Sequence, residues 1–140
     1  MSRSYLFVSA SKPRDARRAV IASPSEPDLA VVSPSDDAYE TAGYAVGGRW
    51  IATREEPLLA GRSFAESGAD VLARFARVMR GLIAYEARSL LVVIDGLDVL
   101  GATAFKLGED EVLRWATDVE RRTTPFTDGR AAAHPSFWLG

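Results

Sequence analysis

The chain has 140 residues, no cysteine and one histidine, with 47% hydrophobic and 26% charged residues and a formal net charge of −2. That length suffices for one domain with its own core, and the charge supplies no general drive toward nucleic acid or an anionic membrane. The absence of cysteine excludes disulfides, thiolate metal sites and cysteine nucleophiles, and the single His134 excludes any mechanism that needs two histidines within the chain.

Tyr5–Val8 (YLFV) reads as a short buried strand, rich in aromatic and β-branched residues. The opening stretch MSRSYLFVSASKPR lacks the longer apolar core and small-residue cleavage site of a signal peptide. No run approaches the ~20 apolar residues of a membrane span, so a cytoplasmic location is the expectation. Pro13 sits where a helix can begin, and PRDARRAVIA places Ala16, Ala19 and Val20 on one side. After the punctuation SPSEPD, Leu29–Val32 reads as a second buried strand, closed by Ser33-Pro34. Asp36 or Asp37 is then expected to cap a helix running to about Val46, ended by Gly47-Gly48.

Arg49–Thr53 reads as a third strand and Glu55–Gly68 as a loop. The clearest helix runs from Ala69 to Glu86, with Val71, Leu72, Phe75, Val78, Met79, Leu82 and Ile83 at helical spacing. Arg74, Arg77 and Arg80 lie on its other side and are expected to be solvated. Strand Leu90–Ile94 follows, then an expected helix from Val99 to Lys106 and another over Glu109–Arg122, acidic in its first turn and basic in its last. From about residue 123 the tail is aperiodic, and its Phe137 and Trp138 are expected to dock rather than hang free. Strands alternating with helices, with no repeat or domain boundary, predict a single domain over residues 1–140. The fold class is α/β, a three-layer α/β/α sandwich with a mostly parallel central sheet. Ligands of such sheets bind beyond the carboxyl ends of the strands, which directs attention to the loops beginning at Ser9, Ser33, Glu55 and Asp95.

These loops carry a resemblance. YLFV is followed by Ser9-Ala10-Ser11; SPSDDAYETA contains Ser33, Pro34, Ala38, Thr41 and Ala42; Glu66-Ser67 precedes the long helix; VVIDGL ends the last strand with Gly96. In this order, over roughly residues 4–104, the chain resembles a small member of the histidine phosphatase superfamily, the phosphoglycerate mutase-like fold. In that family the first strand ends in Arg-His-Gly, and the second in Ser-Pro followed by an arginine-containing segment and Thr-Ala. A Glu-Ser pair precedes the long helix, and the last strand runs into Ser-His-Gly-Gly. The resemblance implies that one histidine attacks phosphorus while arginines and a second histidine hold the charge on the transferring group. Such a division suits a reaction that needs positioning and positive electrostatics. It also locates the departures: the nucleophile position is Ala10, the neighbouring arginine is Ser9, the second-strand arginine is Asp37 and the second histidine is Asp95. Phosphohistidine chemistry is excluded, and a phosphate pocket is replaced by one lined with carboxylates.

If the resemblance holds, Asp37 and Asp95 face a common pocket with Asp36 and Asp98 nearby. Two close carboxylates raise one another's proton affinity and suit an acid/base pair or a cation site. Helix capping is the competing role for all four. Ser9, Ser11 and Lys12 beyond the first strand are candidate ligand contacts, although serine without a histidine base is a poor nucleophile. Tyr39, two positions after Asp37, is a further candidate. Glu55 stands with Glu56 where family members often carry an acid for the leaving group, and Arg62 is a cation that could offset the carboxylates. Trp50, Trp115, Trp138 and Tyr44 are expected in the core or at its edge, and His134 at the surface.

No cofactor is expected, and no spacing is diagnostic of a metal site. Two functions remain. One is a catalytically inactive histidine phosphatase-like protein kept as a binding or regulatory module, with a small molecule or protein as partner, a homodimer among them. The other is a repurposed enzyme in which Asp37 and Asp95 perform acid/base chemistry of isomerase, cyclase or dehydratase type in a biosynthetic pathway. Neither involves nucleic acid or a membrane.

Overall fold

The computed structural model describes residues 3–61, 63, 65–95 and 104–123. Apolar runs such as LAVV and LLVVI are too uniformly hydrophobic to leave either side in water, so they settle in the middle of a sheet covered on both faces. The strands are β1 (Ser4–Ser9), β2 (Leu29–Val32), β3 (Ala52–Glu55), β4 (Ser89–Ile94) and β5 (Ala104–Gly108), ordered β3-β2-β4-β1-β5 in one sheet. The first four are parallel to one another, and β5 runs antiparallel to β1. Strand alternation then divides the core in two. Leu6, Val8, Ala30, Val32, Leu91 and Val93 face helices α1 (Pro13–Ala22) and α2 (Asp36–Ala45). On the opposite side, Tyr5, Phe7, Leu29, Val31, Leu90, Val92 and Ile94 face α3 (Gly68–Leu82) and α4 (Glu109–Thr123). The result is the mostly parallel α/β/α sandwich expected from the sequence.

Local chemistry explains where the helices begin. Helix α3 starts in a reciprocal capping box, in which Ser67 Oγ accepts from Asp70 N and Asp70 Oδ2 accepts from Ser67 N. Helix α2 is capped by Ser35, not by Asp36 or Asp37: Ser35 is extended (φ −142°, ψ 152°) and its Oγ accepts from Ala38 N at 3.1 Å. The two aspartates occupy the first turn instead, where negative charge meets the positive end of the helix dipole. The helix stops at Gly47 and Gly48, both left-handed (φ 67° and 76°). A side chain at Gly47 would also press on the Arg17 guanidinium, which donates to Ala45 O.

Three expectations change. The helix predicted over Val99–Lys106 is not what residues 104–106 form: they belong to strand β5, and 99–103 lie outside the described residues. The β1 edge needs partners for its backbone groups, and the alternation of Phe105 and Leu107 against exposed Lys106 suits a strand. Phe105 stacks on its partner Phe7 with ring centroids 4.8 Å apart. The third strand lies three residues beyond its expected start, over Ala52–Glu55, which leaves Trp50 85% exposed rather than at the core edge. Tyr44 is likewise exposed, whereas Trp115 is half-buried against the core. Finally, the arginines of α3 are not a uniformly solvated face. Arg77 is exposed, but Arg80 pairs with Glu120 of α4, and Arg74 is drawn into the loop before its own helix.

Candidate functional site

The carboxyl ends of β1, β2 and β4 lie side by side, and each loop leaving them is tied to its neighbour. Ala10 N donates to Ile94 O (3.0 Å) and Ser33 N donates to Val93 O (3.0 Å), extending the ladders one residue past the strands. Ala10 O accepts from the buried Thr41 Oγ1 at 2.7 Å, fastening the loop after β1 to helix α2. Ser33, fully buried at the end of β2, donates its hydroxyl to Asp95 Oδ2, and Ser35 Oγ donates to Asp95 Oδ1 at 3.3 Å. Asp95 therefore joins the end of β4 to the loop between β2 and α2. Gly61 passes over it so closely that an added Cβ would stand 3.5 Å from Asp95 Cβ. Ser35→Ala removes a helix cap and a carboxylate partner together; a loss of roughly 1 kcal/mol in chemical denaturation is expected.

The overhanging segment is held by Arg74. Its guanidinium donates to Leu58 O and Ala60 O, both at 2.7 Å, and through Nε and Nη2 to Glu66 at 2.7 and 2.8 Å. This fork satisfies carbonyls that an irregular loop cannot pair internally. Donation from Arg74, with help from the Ser63 backbone, lowers the Glu66 carboxyl to a pKa of about 2. Glu56 also serves the segment, its Oε2 accepting from Leu58 N at the head of the 3-10 turn Pro57–Leu59.

The candidate residues divide among these surroundings. Ser9 is buried and shares a hydrogen bond with the exposed Ser11 (Oγ to Oγ 2.9 Å). Lys12 is exposed at the start of α1. Asp37 lies in a cleft of about 370 Å³ between the α1 entrance and α2, which Ala10, Ser11, Glu40 and Tyr44 also line. Asp95 is not among the residues lining that cleft. Tyr39 turns toward β3, where its hydroxyl donates to Glu55 Oε1 at 3.0 Å; this bond to an acceptor carboxylate raises the phenol above its ordinary pKa. Arg62, Asp98 and His134 lie outside the described residues. Among the described residues no three acidic or histidine side chains gather as a metal set, and no helix is long and apolar enough to cross a membrane.

Sequence reasoning missed Ser35, Thr41, Gly61 and Arg74 as organisers of this end of the sheet. Ser35 left a signal, a serine three positions before Ala38 at a helix start. Thr41 and Arg74 left none, because their partners are distant in sequence.

Protein-family models and curated proteins show no sequence match to the chain. A solved structure from Escherichia coli K-12, described as a "putative alpha-ribazole-5'-P phosphatase", superposes with a TM-score of 0.53 at 11% identity. The match covers 70% of this chain and 76% of the other. Sheet order, layer arrangement and this likeness together show that the chain has a phosphoglycerate mutase-like fold.

Proposed function

We propose that the chain is a non-catalytic protein of this fold that acts as a binding or regulatory module. The observation that carries the reading is the state of Asp95, which stands where the resemblance places the second histidine and accepts hydrogen bonds from Ser33 and Ser35. A carboxylate used to join two loops is a structural tie, and beside it Ala10 offers no nucleophile. Ala10 itself contributes little surface to the cleft, with 3% exposure and both backbone polar groups paired. What stays accessible is the cleft beside Asp37, Glu40 and Tyr44, whose carboxylates repel anions and favour a neutral or cationic ligand. Incubation with a panel of phosphate monoesters is expected to release no phosphate above the buffer blank. Release that disappears in Asp95→Ala would sink the reading.

A second reading is favoured by one observation: Asp37 remains exposed in that cleft, one helical turn from Glu40. A pair so placed suits acid/base chemistry on a small molecule, of isomerase, cyclase or dehydratase type. Turnover of a neutral or cationic substrate that falls by about 100-fold in Asp37→Asn would establish it over the first.

A further inference from the structure

Helices α1 and α2 lie side by side over one face of the sheet, and their exposed sides differ in charge. Lys12, Arg14 and Arg18 stand exposed on α1 and at its entrance, and Asp36, Asp37 and Glu40 on α2. Among the described residues no ion pair joins the two helices, and Lys12, Arg14, Asp37 and Glu40 have none at all. The same layer and its rim hold the exposed large hydrophobic residues described: Ile21 on α1, Tyr39 and Tyr44 on α2, and Trp50. The layer of α3 and α4 exposes none among its described residues. Exposed apolar groups gathered on one side and rimmed by charge mark an interaction surface, and tyrosine and arginine are enriched in such contacts.

We propose that this helical face binds a second copy of the chain, with α1 of each laid on α2 of the other. The charges select that partner, because the basic surface that α2 lacks in its own protomer is carried by the same molecule. Topology sets the axis. Both helices return from the carboxyl end of one parallel strand to the amino end of the next, so they run in the same direction. A twofold axis parallel to them keeps that direction and exchanges their sides, which sets α1 over the partner's α2. Two hydrogen bonds set the level. Thr41 Oγ1 on Ala10 O (2.7 Å) and Arg17 Nη1 on Ala45 O (2.9 Å) place the start of α1 beside the second half of α2. Lys12 and Arg14 then lie across from the partner's Glu40 and Tyr44, and Arg18 from the carbonyl end of the partner's α2. Each meeting is favourable: a cation with a carboxylate, a guanidinium with a tyrosine ring, and a cation at the negative pole of a helix. An axis perpendicular to the helices would instead set α1 on α1 and α2 on α2, like charge on like. The inference rests on the reading of the chain as a binding module and names what the cleft beside Asp37 and Glu40 receives, the partner's Arg14 guanidinium.

Sedimentation of the full chain from low to high micromolar concentration tests it, and a reversible dimer that weakens as salt is added is the expected result. Two doubly substituted chains identify the contact. Lys12→Glu with Arg14→Glu makes both helices acidic, and Asp37→Lys with Glu40→Lys makes both basic. Each alone should dimerise at least about tenfold more weakly than the parent, while an equal mixture of the two should recover a one-to-one dimer. Circular dichroism checks that each keeps the parent's helix content. Arg14→Gln, too mild a surface change to disturb folding, should weaken the parent dimer about fivefold. A chain that stays monomeric throughout would overturn the proposal, whether a small cation or another protein then occupies the face. So would a dimer indifferent to these substitutions, or two folded variants that fail to recover on mixing. Phosphate release, which decides the non-catalytic reading, is measured separately, so either can fail alone.

Discussion

Asp95→Ala is expected to lower the stability of the fold by about 1–3 kcal/mol, the cost of stranding a buried hydroxyl. Ser33 is fully buried at the end of β2 and its Oγ has Asp95 Oδ2 as acceptor. Removing the carboxylate takes away the acceptor of that buried hydroxyl and frees Ser35 Oγ from the second oxygen. Asp95→Asn retains an acceptor oxygen of the same shape and is expected to recover more than half of the loss. Urea denaturation measures both, since the midpoint shifts in proportion to stability while the slope stays constant. A group reserved for substrate would behave in the opposite way, because catalytic groups are commonly held at a cost to stability. An Asp95→Ala protein as stable as the parent would therefore remove the main support for the non-catalytic reading.

Arg74→Ala is expected to cost roughly 2–3 kcal/mol, because one guanidinium serves two close carbonyls and a carboxylate in a partly buried position. Arg74→Lys should recover little, since an ammonium cannot reproduce the planar fork. The same contact predicts a pH dependence. The Glu66 carboxyl titrates at about 2 in the folded chain, below its ordinary value of 4.5. Its contribution is complete above the unfolded value and is lost as the pH falls from there toward about 2. Stability measured across that interval should decline less steeply in Glu66→Gln than in the parent. Equal slopes in the two proteins would show that the pair does not couple to folding. Because the arginine also fastens Gly61 near Asp95, hydrogen exchange at residues 58–61 should rise in Arg74→Ala before it rises in the central strands.

Much of the fold was legible because its signals are local. LAVV and LLVVI could only be central strands, and the apolar positions from Val71 to Leu82 could only be one face of a helix packed on them. The last strand was not legible. AFKLG is only five residues long, too short for its alternation to stand out, and becomes a strand because the β1 edge offers it partners. Trp50 misled for a related reason: an aromatic residue belongs in a core by default, but the chain places β3 three residues later, at the rim.

The sequence by itself determined which groups the chain can supply. With one histidine and an alanine after the first strand, no mechanism that needs two histidines can operate within the chain. Only the tertiary structure decided the surroundings of the carboxylates. Asp37 lies open in a cleft because the first turn of α2 exposes it, while Asp95 is bound because β2 and β4 are neighbours and bring Ser33 and Ser35 to it. Those contacts span about sixty residues of chain, and no local pattern encodes a partner that only strand pairing brings near.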